Sequence, residues 1–157
     1  MMPGISCFGQ DRHDYKIYST LIEELCRHES VANKTLIIDQ DSDTTLIPGD
    51  PFHGGEPVLP ELLAALDQLM QKRIRFDNKF KVTGWQTLVI THKEYLSLIM
   101  DEKGDWIDEE LYRKYPNAEG IIRLSPIYYS SADRTTGVVQ MSFRRNSMKC
   151  RNVSRYV

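Results

Sequence analysis

Long hydrophobic runs, a surplus of one charge and closely spaced cysteines are all missing from this chain. No window of its 157 residues approaches the roughly 18 successive apolar residues of a membrane-spanning helix. Lys and Arg total 20 against 22 Asp and Glu, which argues against broad nucleic-acid binding because that binding depends on clustered cations. With 41% apolar and 27% charged residues, the composition is that of a single globular domain.

The three cysteines, Cys7, Cys26 and Cys150, are too widely spaced for a zinc or redox motif. Cys26 falls on the apolar face of a predicted helix, so we interpret it as a small core residue. Cys7 and Cys150 stand near opposite ends of the chain and pair only if the ends meet. The sequence leaves that pairing open.

The first half of the chain is predicted to contain two helices and two strands. Asp14 is the expected cap of a helix that runs to about His28, and Pro60 is expected to open a second helix. Short apolar runs predict one strand that ends at Asp39 and another at 86–90. The Pro- and Gly-rich residues between the first strand and the second helix are predicted to form a loop.

The second half is predicted to end in an antiparallel hairpin. Thr91 and Glu94 form a capping-box pattern at the start of a helix, and 108–115 forms a shorter one. Strands at 120–127 and 137–143, joined by a polar connection, make the hairpin. We therefore predict the α+β class, with N-terminal helices packed on a small, mostly antiparallel sheet.

Both ends of the chain are expected to lie outside the single domain, which spans 14–143. Residues 144–157 hold five cations and no acid, which predicts a solvated basic tail, with docking on a polyanion as the alternative. The strand at 137–143 would then keep an exposed edge, through which a homodimer is the alternative to a monomer. Residues 1–13 are either a disordered start or the remnant of a signal peptide, since Cys7-Phe8-Gly9 has the small residues of a cleavage site.

An acidic cluster carries the sharpest chemical signal. Asp39 and Asp41 follow the apolar strand Leu36-Ile37-Ile38, and this D-x-D pattern resembles the first motif of haloacid dehalogenase-like phosphatases. The resemblance implies Asp39 as nucleophile, Asp41 as acid and base, and Mg²⁺ as cofactor. It also implies that Thr91 is the second-motif hydroxyl and Lys93 the cation that neutralises phosphate. The acidic pair that should follow, Asp101-Glu102, comes too soon after Thr91 to end a further strand.

The same acids also have the spacing of calcium ligands. Asp39, Asp41 and Asp43 fit positions 1, 3 and 5 of a calcium loop, but Thr44 stands where that loop needs Gly. The pattern predicts at most a weak divalent site. The four histidines lack ligand spacing, and they are interpreted as surface or capping residues, with His53 the best ligand candidate.

A second resemblance extends over residues 14 to 143. The stretch Tyr115-Pro116-Asn117-Ala118-Glu119-Gly120-Ile121-Ile122-Arg123-Leu124-Ser125 resembles the Y-P-x-S-x-G-x-x-x-L-S pattern of small uncharacterised, mostly bacterial exported proteins. This resemblance implies an α+β fold and export, and it assigns no catalytic residue. Such proteins continue with one more strand, which the basic sequence after Phe143 does not predict here.

Two functions of different classes follow. The first is a non-enzymatic domain that binds an unknown ligand or protein partner and needs no cofactor. The alternative is a Mg²⁺-dependent phosphatase that uses Asp39 and Asp41. The protein is expected to be periplasmic or extracellular if a signal peptide precedes it, and cytoplasmic otherwise.

Overall fold

The computed structural model describes residues 11–27, 35–42, 73–105, 107, 109–129, 137–144 and 150–156. Three helices and six strands lie in these ranges. The helices are α1 (Arg12–Cys26), α2 (His92–Ile99) and α3 (Glu109–Lys114). The strands are β1 (Thr35–Asp39), β2 (Gln86–Ile90), β3 (Ala118–Leu124), β4 (Tyr128–Tyr129), β5 (Gly137–Arg144) and β6 (Cys150–Tyr156).

The strands form one mixed sheet in the order β2-β1-β3-β5, with β4 and β6 also paired to β5. Strand β1 lies between β2 and β3 and is parallel to both. The three pairs made by β5 are antiparallel, so the predicted pairing of 120–127 with 137–143 is confirmed. The α+β class is confirmed as well.

Helices cover both faces of the sheet, so β1 and β3 are buried on both sides. Leu36 and Ile38 of β1 belong to the core cluster that includes α1, whereas Ile37 belongs to the cluster of α2 and α3. Successive side chains of a strand point to opposite faces, which separates these two clusters. Cys26 is 3% exposed in the α1 cluster, so its prediction as a core residue is confirmed.

Helix α1 begins earlier than the sequence predicted. Its N-cap is Asp11, whose Oδ1 accepts the amide hydrogen of Asp14 at 3.0 Å. Asp14 is instead a buried residue of the first turn, and its carboxylate accepts a hydrogen bond from the Tyr129 hydroxyl. The expected cap at Asp14 was therefore wrong, because a buried tertiary partner claims that carboxylate.

The C-terminal region also differs from its prediction. Residues 150–156 form β6, which pairs with β5 from Val138↔Tyr156 to Arg144↔Cys150. This segment is therefore part of the sheet and not a solvated tail, and it covers the β5 edge that was expected to be exposed. Dimerisation through that edge loses its basis.

Several predictions lie outside the described residues: the N-terminal segment 1–10, His28 and the helix expected from Pro60. The sulfur atoms that would form the Cys7–Cys150 pair also lie outside them. Among the helices of the described ranges, none has the length and apolar character needed to cross a bilayer.

Strands β3 and β5 lie close together at Gly120. A Cβ at this position would lie 2.5 Å from the carbonyl oxygen of Arg144 and 2.7 Å from the ring of Phe143. We expect Gly120→Ala to lower the free energy of unfolding by about 1–3 kcal/mol, since the strands must separate to admit the methyl group. Urea denaturation measures this loss, and an unchanged midpoint would contradict the close approach.

Candidate functional site

The carboxyl ends of three parallel strands meet at one edge of the sheet. Asp39 is the last residue of β1 and is paired with Ile90, the last residue of β2. The chain passes from β1 to β2 on one side, and its next parallel strand, β3, lies on the other side of β1. In sheets of this kind, ligands bind beyond the carboxyl ends where the order reverses, which here is the junction of β1 and β3.

The carboxylate of Asp39 is completely buried and fully engaged. Its Oδ2 lies 2.8 Å from Nδ1 of His92 and 3.1 Å from Nε of Arg123. Its Oδ1 accepts the amide hydrogen of Asp41 at 3.1 Å. The Asp39 side chain is 0% exposed, whereas those of His92 and Arg123 are 34% and 20% exposed. A buried anion therefore holds two partners that both reach the surface.

Tyr95, one turn along α2, supports both partners of Asp39. The ring of His92 stacks on that of Tyr95, with centroids 5.6 Å apart and planes 22° apart. The guanidinium carbon of Arg123 lies 4.8 Å from the centroid of the same tyrosine ring. Such contacts stabilise a cation near an aromatic face and restrict the orientation of both side chains.

The backbone after β1 is also held in place. The amide of Gln40 donates to the carbonyl of Ile90 at 2.8 Å, and that of Phe76 donates to the carbonyl of Gln40 at 2.7 Å. Asp41 pairs with Arg75 through the backbone, and the side chains lie 3.7 Å apart. Because this ion pair is largely exposed, we expect it to contribute little to stability.

The buried carboxylate determines the tautomer of His92. An ionised carboxylate only accepts hydrogen bonds, so Nδ1 of His92 carries the hydrogen that faces Asp39. The other ring nitrogen, Nε2, then holds a lone pair when the ring is neutral. Within the described residues Nε2 makes no hydrogen bond, and the ring is a third exposed. Nε2 of His92 can therefore form a hydrogen bond with a ligand from a fixed position.

The ion pair that links α2 to α3 lies close to the site. Hydrogen bonds from Lys114, at 2.6 Å, and from Tyr115 hold the pKa of Glu94 below its usual value. Burial and the adjacent Glu94 raise the pKa of Tyr115 to about 12. The Glu94 carboxylate thus stays charged at neutral pH and anchors the helix that carries His92.

The structure brings together some of the residues predicted from the sequence. Thr91 follows Ile90 directly, so it stands beside Asp39 at the carboxyl edge. Its hydroxyl accepts the amide hydrogen of Glu94 at 3.2 Å, which confirms Thr91 as the cap of α2. Lys93 is exposed on the first turn of α2. Asp43 and His53 lie outside the described residues.

The oxygens of Asp39 do not fit a magnesium ion in this arrangement. Mg²⁺ requires carboxylate oxygens free to coordinate it, and those of Asp39 already accept from His92, Arg123 and the amide of Asp41. Across the described ranges, no group of three His, Cys, Asp or Glu side chains is placed to hold a metal ion.

Sequence reasoning missed His92 and Arg123. His92 was interpreted as a surface or capping residue, and Arg123 was assigned no role. The available signal was their position: His92 follows the cap at the end of β2, and Arg123 is the penultimate residue of β3. That signal has meaning only once the parallel order of the three strands is known.

Comparison with known proteins identifies no relative. No protein-family model matches the chain, and no curated protein or solved structure shows a significant match to it. The functional argument therefore rests on the geometry of the site.

Proposed function

We propose that this domain binds a small anionic ligand, of the phosphomonoester class, at the carboxyl edge of β1, β2 and β3, without catalysing a reaction. The observation that carries the proposal is the 2.8 Å contact of His92 with Asp39, the residue that ends β1 beside the junction of β1 and β3 where the strand order reverses. It fixes a partly exposed imidazole at the place where sheets of this kind bind ligands.

The charges near the site favour an anion. Arg123 lies beside His92 across Asp39, Lys93 follows His92 on α2, and the amino end of α2 carries a partial positive charge. Asp39 balances only one unit of positive charge, and Asp41 is paired with Arg75. A phosphate or similar group would find several hydrogen-bond donors at this edge.

Binding is favoured over catalysis because of the state of Asp39. A carboxylate that attacks phosphorus must present an oxygen to the substrate. Both oxygens of Asp39 accept hydrogen bonds inside the protein, and the side chain has no exposed surface. Asp39 therefore acts as a positioning residue for His92 and Arg123.

The haloacid dehalogenase-like phosphatase is kept as a second candidate because of one observation. Asp39 and Thr91 stand at the carboxyl ends of adjacent parallel strands, as the resemblance implies for its first two motifs. The engaged oxygens of Asp39 and their poor fit to Mg²⁺ argue against this candidate. It requires Asp39 to exchange its partners for a substrate.

One probe separates the two candidates. We expect p-nitrophenyl phosphate to shift the NMR signals of the His92 ring. With Mg²⁺ present, the protein should release no more p-nitrophenol from this compound than the Asp39→Asn variant does. His92→Gln should weaken binding about tenfold, the usual scale for one hydrogen bond to a charged group. His13→Gln is the matched control, because His13 is exposed on α1, across the sheet.

The possible outcomes discriminate clearly. Turnover that Asp39→Asn abolishes would replace the binding proposal with the phosphatase. If Asp39→Asn proves too unstable to assay, Asp41→Asn can replace it as the variant that lacks phosphatase activity. Asp41→Asn should stay folded because the partner of Asp41, Arg75, is exposed. Absence of any shift at low ionic strength would rule out an anion site at this edge.

Export is proposed on the resemblance to exported proteins and on the small residues of a cleavage site at Cys7-Phe8-Gly9. It predicts that the gene upstream of Met1 encodes an in-frame basic start and an apolar run of about 7 to 15 residues. A stop codon directly upstream of Met1 would contradict it.

A further inference from the structure

A second concave surface lies beside α1, on the face of the sheet opposite Asp39. It is a groove of about 950 Å³ between α1 and residues 78–81. Sites for small ligands commonly have volumes of roughly 300–1,000 Å³, so the groove is large enough for a small molecule.

Side chains of α1 form hydrogen bonds with backbone amides of residues 77–83, which include the opposite wall of the groove. The Tyr15 hydroxyl accepts the amide hydrogen of Asp77 at 2.7 Å, and the Ser19 hydroxyl accepts that of Lys81 at 3.0 Å. Glu23 accepts the amide hydrogen of Thr83 at 2.7 Å. Because Tyr15, Ser19 and Glu23 are spaced by four residues, they form one stripe along the helix. The groove is thus a built feature of the fold.

The two hydroxyls in this stripe keep a hydrogen to donate. Tyr15 is 4% exposed and Ser19 is 7% exposed, and both line the groove. Each uses its oxygen to accept a backbone amide, so its own hydrogen remains available. No described residue accepts either hydrogen. A ligand with acceptor oxygens would satisfy both donors.

Cations outnumber acids along the groove. Arg12 and Lys16 lie one turn apart on α1, and Lys79 and Lys81 stand two residues apart on the other wall, all four exposed.

The acids of the groove are already engaged by the fold. Asp11 caps α1, and Glu23 is bonded to Thr83, which lowers the pKa of Glu23. Lys79 also lies 3.6 Å from Asp77, but both side chains are more than half exposed, so this pair is weak. These acids keep their charge, but the four cations still exceed Asp11, Glu23 and Asp77 by one, so a small positive surplus remains for a ligand.

We propose that this groove is a second binding site, for a small molecule that carries at least two anionic groups of the phosphate type. One group accepts hydrogen bonds from Tyr15 and Ser19, and the others lie between the cations of the two walls. The Cβ atoms of helical residues four apart, such as Arg12 and Lys16, lie about 5–6 Å apart, which suits neighbouring phosphates in one molecule. This site is independent of the carboxyl edge and of the function proposed for it.

Calorimetric titration of the full chain with tripolyphosphate at low ionic strength tests the proposal. We expect saturable binding at the groove that weakens as salt is added and that persists in His92→Gln, in which the carboxyl edge is impaired. Lys16→Gln and Lys81→Gln should each lower the affinity about threefold to tenfold, the range for one partly exposed charged contact. Lys103→Gln, in the exposed turn 101–105, is the matched loss of charge and should leave the affinity unchanged.

Further variants separate this site from the carboxyl edge and from diffuse attraction. His92→Gln should weaken binding only at the carboxyl edge and leave the affinity of the groove for tripolyphosphate unchanged, and loss of all binding in this variant would overturn the proposal. An equal loss in Lys103→Gln, or binding of sulfate as tight as that of tripolyphosphate, would show diffuse attraction and also overturn it. Lys16→Gln changes an exposed side chain, so unfolding is not expected to obscure the result.

Discussion

Asp39→Asn is expected to lower the free energy of unfolding by about 3 kcal/mol. The substitution keeps the shape of the side chain but removes the buried charge that pairs with both Arg123 and His92 at the edge of the sheet. Loss of one partner from a buried pair costs about 3–5 kcal/mol, because the remaining charge is left uncompensated. We expect the lower end, since Arg123 and His92 are partly exposed and water can approach them. Urea denaturation measures the loss of free energy of unfolding, provided that the dependence of this free energy on urea concentration is the same in both proteins.

Asp41→Asn is the matched control for that prediction. It removes the same charge two residues later, where the partner Arg75 is 66% exposed. Exposed ion pairs contribute about 0–1 kcal/mol, so the loss should be below 1 kcal/mol. Equal losses in the two variants would show that Asp39 is not the buried centre of the site.

Deletion of residues 146–157 is expected to lower the free energy of unfolding by about 3 kcal/mol. The deletion removes β6, which pairs with seven residues of β5, and leaves the backbone groups along that edge without partners. Each hydrogen bond contributes about 1 kcal/mol net, and water recovers part of the loss. Val139, Met141 and Phe143 lie on β5 in the α1 core, so disturbance of this strand reaches the core.

The deletion should also promote association, because an open strand edge pairs readily with another chain. Thermal unfolding and solution mass are the two measurements. Arg151→Gln with Arg155→Gln removes charge but keeps the backbone ladder, and we expect it to change stability by less than about 1 kcal/mol. If the deletion lowered the free energy of unfolding no more than this control does, residues 146–157 would again be interpreted as a solvated tail.

The elements with strong local signals were predicted well. The two short strands before Asp39 and Thr91 were predicted with nearly the observed bounds, since unbroken apolar runs beside turn residues are typical of buried strands. Thr91 was recognised as a helix cap because a threonine before an apolar helical stripe is a local pattern. These features depend on a few neighbouring residues, so no partner strand was needed to find them.

The errors at the ends of the chain have a different cause. The sequence of β6 carries cations at Arg151 and Arg155, and that charge suggested a solvated tail. An edge strand tolerates polar and charged residues because its backbone pairs on one side only. The pairing of β6 therefore depends on the edge that β5 offers. The sequence of residues 150–156 gives no sign of that edge.

Local sequence patterns were enough to predict the α+β class, the main apolar stripes and the position of Asp39 at the end of a strand. The tertiary structure alone decided that β2 and β3 flank β1 in parallel, and so that His92 and Arg123 meet at one carboxylate 53 and 84 residues away along the chain. Local periodicity reports which face of an element is buried, but pairing between distant strands is chosen by the packing of the whole core. The site depends on this pairing of distant strands, because it exists only where the ends of β1, β2 and β3 meet.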